Sequence, residues 1–488
     1  MSSHDDPRVI EELRALSEAA STSSRSWPDA EILRHRSVAH RNRHRAISGA
    51  LALLLVAAAV SVSIVATERS PSPGPGATSH IEDRIGSAIE LTSIHGVKIE
   101  PNAGASASIS QAEVGFGIKV LQNLVASSGS SSNQLVSPFS LSEALAMVEL
   151  GARGETASQL ENALGVEALS SSAQAQGWLG LDRRLASTAK QDRVALRDAN
   201  SLWGQTGFPV LPAFLASLRS EFGAGVWQTD FAGHQTAAAN AVNAWVSNAT
   251  GGKIPALLTP AEVQADVAVL LNAVYFKAPW ATPFATTTQA AFHSPSGDVP
   301  AKFVVSSSDG QFQASMGPGL DAVQLPYWHG SAKSQAAGKY AALLLMPTEG
   351  SLSQFVSGLT PSSLDAIVNG LTSQNVTVTM PTLHLKATHQ LIPTLRSLGV
   401  QDAFGMGADF SGFSPVSTFI AEVKQKATLD VTKWGTVATA ATAIGLQTVS
   451  LVSSPALTFD RPYLFLIRDT QTGTLLFMSA VENPSART

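Results

Sequence analysis

Asn133-Gln-Leu-Val-Ser-Pro-Phe-Ser-Leu-Ser-Glu-Ala-Leu-Ala146, with Gly151-Ala-Arg-Gly-Glu-Thr156 close behind, is the stretch on which the fold reading turns. Leu141 to Leu150 carries its apolar residues at helical spacing. Gly151-Ala-Arg-Gly154 breaks that pattern as a turn, and Ser158 to Leu164 resumes it. Upstream, Val114, Ile118, Leu121, Leu124 and Val125 predict a helix over Ala112 to Val125. Downstream, strand signals take over. Val267 to Phe276 is a near-continuous apolar run, as a strand buried on both faces requires. Ala341 to Met346 is another, and Val376-Thr-Val-Thr-Met380 alternates with period two. Tyr463 to Arg468 and Leu475 to Val481 read as two closing strands joined at Asp469-Thr-Gln-Thr-Gly473. Helices early and strands late indicate an α+β domain rather than βαβ winding.

Composition narrows the function. Of 488 residues, 44% are apolar and 14% charged, enough to bury a large core. A net charge of −5 without a basic stripe in the folded part argues against nucleic acid as a partner. The chain has no cysteine, so disulfides, thiolate nucleophiles and Cys-ligated metals are excluded.

The span from Ala46 to Thr67 holds no charge, and about 22 residues at 1.5 Å each give roughly 33 Å, enough to cross a bilayer core. Arg34, Arg36, Arg41, Arg43 and Arg45 crowd its N-terminal flank. The positive-inside rule therefore predicts a single-pass cell-membrane protein, with a polar cytoplasmic tail over 1–45 and everything after Thr67 exported. A cleaved signal peptide and a buried core helix are the rival readings. Residues 68–110, opening with Ser70-Pro-Ser-Pro-Gly-Pro-Gly-Ala77, read as a linker. As a flexible chain, about 40 residues span on the order of 35 Å. The folded domain is expected over 111–488.

Several motifs in that domain resemble one family. The opening stretch is similar to the N-terminal signature of the serpins. Asn243-Ala-Trp-Val246 with Thr250-Gly-Gly-Lys-Ile254 resembles their mid-chain helix and the turn after it. Leu271-Asn-Ala-Val-Tyr-Phe-Lys277, Trp280 and Pro283-Phe284 resemble a central strand of their large sheet. Asp402-Ala-Phe404, Ala408-Asp-Phe-Ser-Gly412, Arg461-Pro-Tyr-Leu-Phe-Leu-Ile-Arg-Asp469, Thr472-Gly473, Leu476-Phe-Met478 and Asn483-Pro484 follow in family order. Each match is weak alone, and together they are specific. The resemblance, to a bacterial-type serpin with an N-terminal membrane anchor, implies three β-sheets, about nine helices and an exposed reactive-centre loop. It implies a monomeric domain without cofactor or metal. It also implies a suicide mechanism, in which a serine protease is trapped as an acyl-enzyme while the cleaved loop inserts into the central sheet.

On that resemblance the bait loop lies between strands ending near Thr432 and starting near Leu457. Its hinge is Gly435 and Thr436, then Ala438, Thr439, Ala440, Ala441 and Thr442, small and uncharged residues that can slip between two strands. A charge or a proline there would stall insertion. Family spacing counted from Gly435 puts the scissile bond at Val449–Ser450, whereas counting back from Pro462 puts it at Leu451–Val452. All candidates are small or aliphatic, implying an elastase-like or subtilisin-like target rather than a trypsin-like one.

The sequence departs from the family pattern in places. Lys433 and Trp434 precede the hinge where a Glu is usual, so the ion pair made by that Glu must be absent or reversed. Gln425 stands where a His is common in a buried polar cluster under the sheet, with Ser137, Ser140 and Asn272 as neighbours by position; Gln can still donate and accept. Trp280 stands either where the loop enters the sheet or as an ordinary core tryptophan. No enzyme motif competes: Gly-x-Ser-x-Gly, His-Glu-x-x-His and a P-loop are all missing, and the histidines lack metal-ligand spacing. The remaining alternative is a non-inhibitory serpin acting as a binding or structural module.

Overall fold

The computed structural model describes residues 80–93, 98–128, 132–262, 268–308, 310–329, 337–436 and 454–486; at 80–84, 93 and 337 only the backbone is described. The tail and anchor expected over 1–67 lie outside these residues. So do Val267, the loop residues Ala438, Thr439, Ala440, Ala441 and Thr442, and the scissile pair Val449 and Ser450. Among the described residues no helix is long and apolar enough to cross a membrane.

Three sheets and nine α-helices make up the described residues. The large sheet runs in the order β1 (His80–Ile85), β2 (Ala88–Ser93), β5 (Val226–Thr229), β4 (Ala195–Gln205), β6 (Ala268–Pro279), β16 (Gly435–Thr436), β15 (Ile420–Thr432), β14 (Leu383–Gln390). The second runs β12 (Thr372–Asn375), β9 (Gln311–Ser315), β10 (Leu320–Trp328), β11 (Ala337–Pro347), β18 (Tyr463–Asp469), β19 (Leu475–Val481), β3 (Gln134–Val136). The third is β17 (Ala456–Thr458), β13 (Thr377–Pro381), β8 (Gly297–Val305) and β7 (Thr286–Ser294).

The apolar runs become the strands that need two covered faces. Every residue of β19 is buried, and β6 is buried along nearly its whole length. Helix α1 (Ala103–Ser128) is followed by α2 (Pro138–Glu149), which packs against β4 and β6 on one side and β19 on the other. That position explains why α2 is buried from Pro138 through Val148. Pro138 opens it at a position where no N–H is needed. After the Gly151–Gly154 turn come α3 (Gly154–Leu164), α4 (Ser171–Gln191), α5 (Pro212–Phe222) and α6 (Gln235–Ala249). Trp203, Trp227 and Trp245 form a small second core between the large sheet and α6; the Trp203 and Trp227 rings stack at 5.4 Å.

One expectation needs correction. The second half of the span 68–110 is not a linker. His80 to Ser93 forms an antiparallel hairpin, β2 pairs with β5 through Ile89↔Gln228 to Leu91↔Val226, and α1 starts at Ala103. The hairpin turn is Gly86-Ser87, with Gly86 at φ +60°, a two-residue loop that matches strand twist.

Candidate functional site: the hinge slot and the polar row beneath it

Strands β6 and β15 run parallel and hydrogen-bonded from Ile420↔Ala268 to Thr428↔Tyr275. Beyond that point they part, and β16 fills the gap. Gly435 pairs with Pro279 and Thr432, and Thr436 with Ala278 and Val431. The chain thus reaches the end of β15, turns at Lys433-Trp434, and starts back between the two strands.

Each residue of this turn is held. The Phe284 N–H donates to the Lys433 carbonyl (2.9 Å) and the Trp280 N–H to the Trp434 carbonyl (3.0 Å). Trp280 Nε1 donates to the Thr432 carbonyl (3.0 Å), and the Trp280 ring stacks on Tyr327 with centroids 4.6 Å apart. Trp280 is therefore both a buried core residue and a support for the strand end next to the hinge. At Gly435, φ is +142°, and a Cβ would press into the Ala278 carbonyl and lie 2.6 Å from Pro279 Cα, so only glycine fits. Thr436 is fully buried, and its Oγ1 is 2.7 Å from Tyr327 Oη. Burial pushes the Tyr327 phenol up, keeping it neutral and able to share that hydrogen bond. Lys433, the family-unlike residue, places its Nζ 4.3 Å from the Trp434 ring centroid and has no ion pair among the described residues. A cation–π contact stands there instead.

Further down the same sheet, one register row carries four polar residues on four neighbouring strands: Asn200, Asn272, Gln425 and His389. Gln425 Nε2 donates to Asn272 Oδ1 (2.5 Å) and to the Ser137 carbonyl (3.0 Å), while its Oε1 accepts from the Ser137 N–H (2.9 Å). Asn272 Nδ2 donates to Ser140 Oγ and Asn200 Oδ1, and Ser140 Oγ donates to Asp198. Asn200 Nδ2 closes the network on Glu143 Oε2 (2.7 Å). The network ties β4, β6 and β15 to α2. Any new strand parting β6 from β15 must break the Gln425–Asn272 bond.

Two carboxyl groups sit at the end of this network. Burial, then the charges of Asp198 and Asp182, hold Glu143 well above the usual carboxylate range. Burial likewise pushes Asp198 up to about 7, against the lowering effect of the Ser140 hydroxyl. His389 donates from Nε2 to the Leu135 carbonyl (3.0 Å), and burial lowers its pKa, so the ring stays neutral.

Ser137, Ser140, Asn272 and Gln425 thus come together. Trp280 does not join them; it stands at the far end of β6 beside the hinge. Glu143, Asp198, Asn200, His389 and Tyr327 were not singled out from the sequence. A signal existed for one of them: Glu143 lies three residues after Ser140 at the start of a helical pattern, so the two share a face.

The chain matches the family model Serpin (serine protease inhibitor) over residues 111–484. It is 32% identical over 364 residues to the leukocyte elastase inhibitor of Bos taurus, covering 72% of this chain and 93% of that protein. It is 31% identical over 364 residues to an uncharacterized serpin-like protein of Thermococcus kodakarensis, covering 73% of this chain and 82% of the relative. The native crystal structure of tengpin, a thermophilic serpin, superposes with a TM-score of 0.69 at 24% identity, covering 80% of this chain and 97% of that one. With a family match across most of its length and the same three-sheet fold, the chain belongs to the serpin family of serine protease inhibitors.

Proposed function

We propose that this serpin is a suicide-substrate inhibitor of an extracytoplasmic serine protease with elastase-like or subtilisin-like preference. It is not itself an enzyme. It acts as a monomeric domain of bacterial type, tethered to the cell membrane through residues 46–67 with its N-terminus in the cytoplasm. The supporting observation is the hinge: Gly435 and Thr436 already pair on both sides between β6 and β15, with the Thr436 side chain buried. Loop insertion would extend that pairing down the sheet. The small residues from Ala438 to Thr442 suit a strand taking up core positions, and cleavage at Val449–Ser450 would leave an acyl-enzyme attached to the inserting segment. The 22 uncharged residues behind five arginines support the anchor.

The test uses the purified full chain in mild detergent, incubated with pancreatic elastase and with subtilisin. A covalent complex stable to denaturing electrophoresis is expected. Clean cleavage without complex would establish the alternative, a non-inhibitory serpin serving as a binding module.

A further inference from the structure

Five of the six sheet edges among the described residues are short or charged. β17 and β3 have three residues each and β12 has four, while β1 carries Glu82-Asp83-Arg84 and β14 carries His384 and Lys386. The sixth edge, β7, has nine residues paired to β8 without a register shift. Its stretch Thr286-Thr-Thr-Gln-Ala-Ala291 holds no charge and no proline, and all six residues are exposed. The usual protections against edge pairing are therefore missing from β7.

The direction of its backbone groups follows from its neighbours. The Lys302 carbonyl of β8 accepts from the Thr382 N–H (2.8 Å), and the Pro300 carbonyl accepts from Ser485 Oγ (2.7 Å). Even-numbered residues of β8 thus turn away from β7. With Ala301 opposite Ala290 and Phe303 opposite Thr288, the even-numbered residues of β7 face β8 and the odd-numbered ones point outward. His293 fits this phase, since its N–H donates to the Asp460 carbonyl (2.7 Å) and not to β8. Thr287, Gln289 and Ala291 are left with outward N–H and C=O groups that have no backbone partner among the described residues.

The charge beside this edge says what kind of strand it suits. A cleft of about 380 Å³ lies on the face of Thr287, walled by Lys302, Lys433 and Trp434. His384, also in the cleft, is paired with Asp430 at 3.0 Å, whereas neither lysine has a carboxylate partner among the described residues. Gln289 lies opposite Lys302, so the two share that face. A residue added beside Gln289 would stand two strand spacings, about 10 Å, from Lys302. One lysine and one glutamate side chain together bridge that gap. A second copy's β7 brings no carboxylate and would set two such clefts on one face. The bait loop, from Val437 to Ser453, brings none either.

We propose that β7 is a docking edge for an extended segment of a partner protein, acidic on the face toward the cleft and apolar on the other. The segment pairs with Thr287, Gln289 and Ala291 through the backbone, and its carboxylates meet Lys302 at the rim of the cleft.

The probe is a Thr-Val-Glu-Val-Glu-Val-Thr peptide, labelled with fluorescein at its N-terminus and amidated. It is titrated with the full chain in mild detergent and followed by anisotropy, beside the same peptide with lysines for its glutamates. The acidic peptide should bind at least tenfold tighter than the basic one and weaken as salt is added. Gln289→Pro removes one outward N–H and leaves the bonds to β8 in place, so binding should fall at least tenfold. Lys302→Gln should weaken it several-fold. Both positions are exposed, and the melting temperature should stay that of the parent. The proposal is overturned if the acidic peptide does not bind, if the basic one binds as tightly, or if either variant binds like the parent. It also falls if sedimentation finds the parent dimeric and Gln289→Pro monomeric, which would give the edge to a second copy.

Discussion

The hydroxyls of Tyr327 and Thr436 lie 2.7 Å apart with neither side chain exposed. One belongs to β10 of the second sheet, the other to β16, where Thr436 is the first buried side chain after the turn. The contact joins the two sheets at the mouth of the slot. It also rewards one side chain shape at that point, a small one with a hydroxyl.

Thr436→Arg should keep the hinge out of the slot. An unpaired guanidinium buried there costs at least several kcal/mol, more than a two-residue strand returns. Cleavage by a target protease should continue while the yield of covalent complex falls at least tenfold, measured by gel densitometry. An unchanged yield would separate insertion from this slot.

Gly435→Ala places a side chain at φ +142° and against the Ala278 carbonyl. Strain of this kind costs roughly 1–3 kcal/mol. The expected response is loss of hydrogen-exchange protection at the Thr436 amide, with the rest of the large sheet unchanged.

The Glu143–Asp198 pair predicts a pH dependence of definite sign. Asp198 is raised from 3.8 to about 7, so the folded state holds a proton that the unfolded chain releases at lower pH. Stability is full below about pH 4 and lost as pH rises through 7. Three pH units correspond to an upper bound of about 4 kcal/mol. Glu149, Glu221 and Glu482, each raised to about 7, act in the same direction, so the variant isolates the pair. Urea unfolding at pH 5 and pH 8 should differ less for Asp198→Asn than for the parent. Asp230, lowered to about 2, titrates below this window.

Val449→Arg should convert the proposed preference to a trypsin-like one, raising the rate of complex formation with trypsin at least tenfold. Leu451→Arg tests the other register. If only the second variant responds, the scissile bond is Leu451–Val452.

Strands β6, β18 and β19 were legible because burial on two faces leaves an uninterrupted apolar run, and α2 because it is enclosed between sheets. Strand β4 was not, although it stands in the middle of the large sheet. Its run Arg197-Asp-Ala-Asn200 reads as a polar loop until the register places Asn200 opposite Asn272. The polarity there belongs to the network, not to solvent. The hairpin β1–β2 was hidden for a different reason: it follows a Pro/Gly-rich stretch, and its first strand, His-Ile-Glu-Asp-Arg-Ile, has no period-two pattern. Gly86-Ser87 was its one local signal. Gly435 and Thr436 were picked out from the sequence, but Tyr327, the hydrogen-bond partner of Thr436, lies 109 residues away, and no local pattern carries that pairing.

The hairpin also decides what the outside of the large sheet offers to another molecule. Without it, the short strand β5 would present open backbone donors and acceptors, a template on which a second copy could add by edge-to-edge pairing. β2 occupies that position instead, and the free edge passes to β1, where Glu82, Asp83 and Arg84 stand in sequence. A charged, six-residue border is a poor nucleus for strand-by-strand polymerisation. Edge-to-edge self-association is thereby discouraged at this end of the large sheet, whose opposite end is β14.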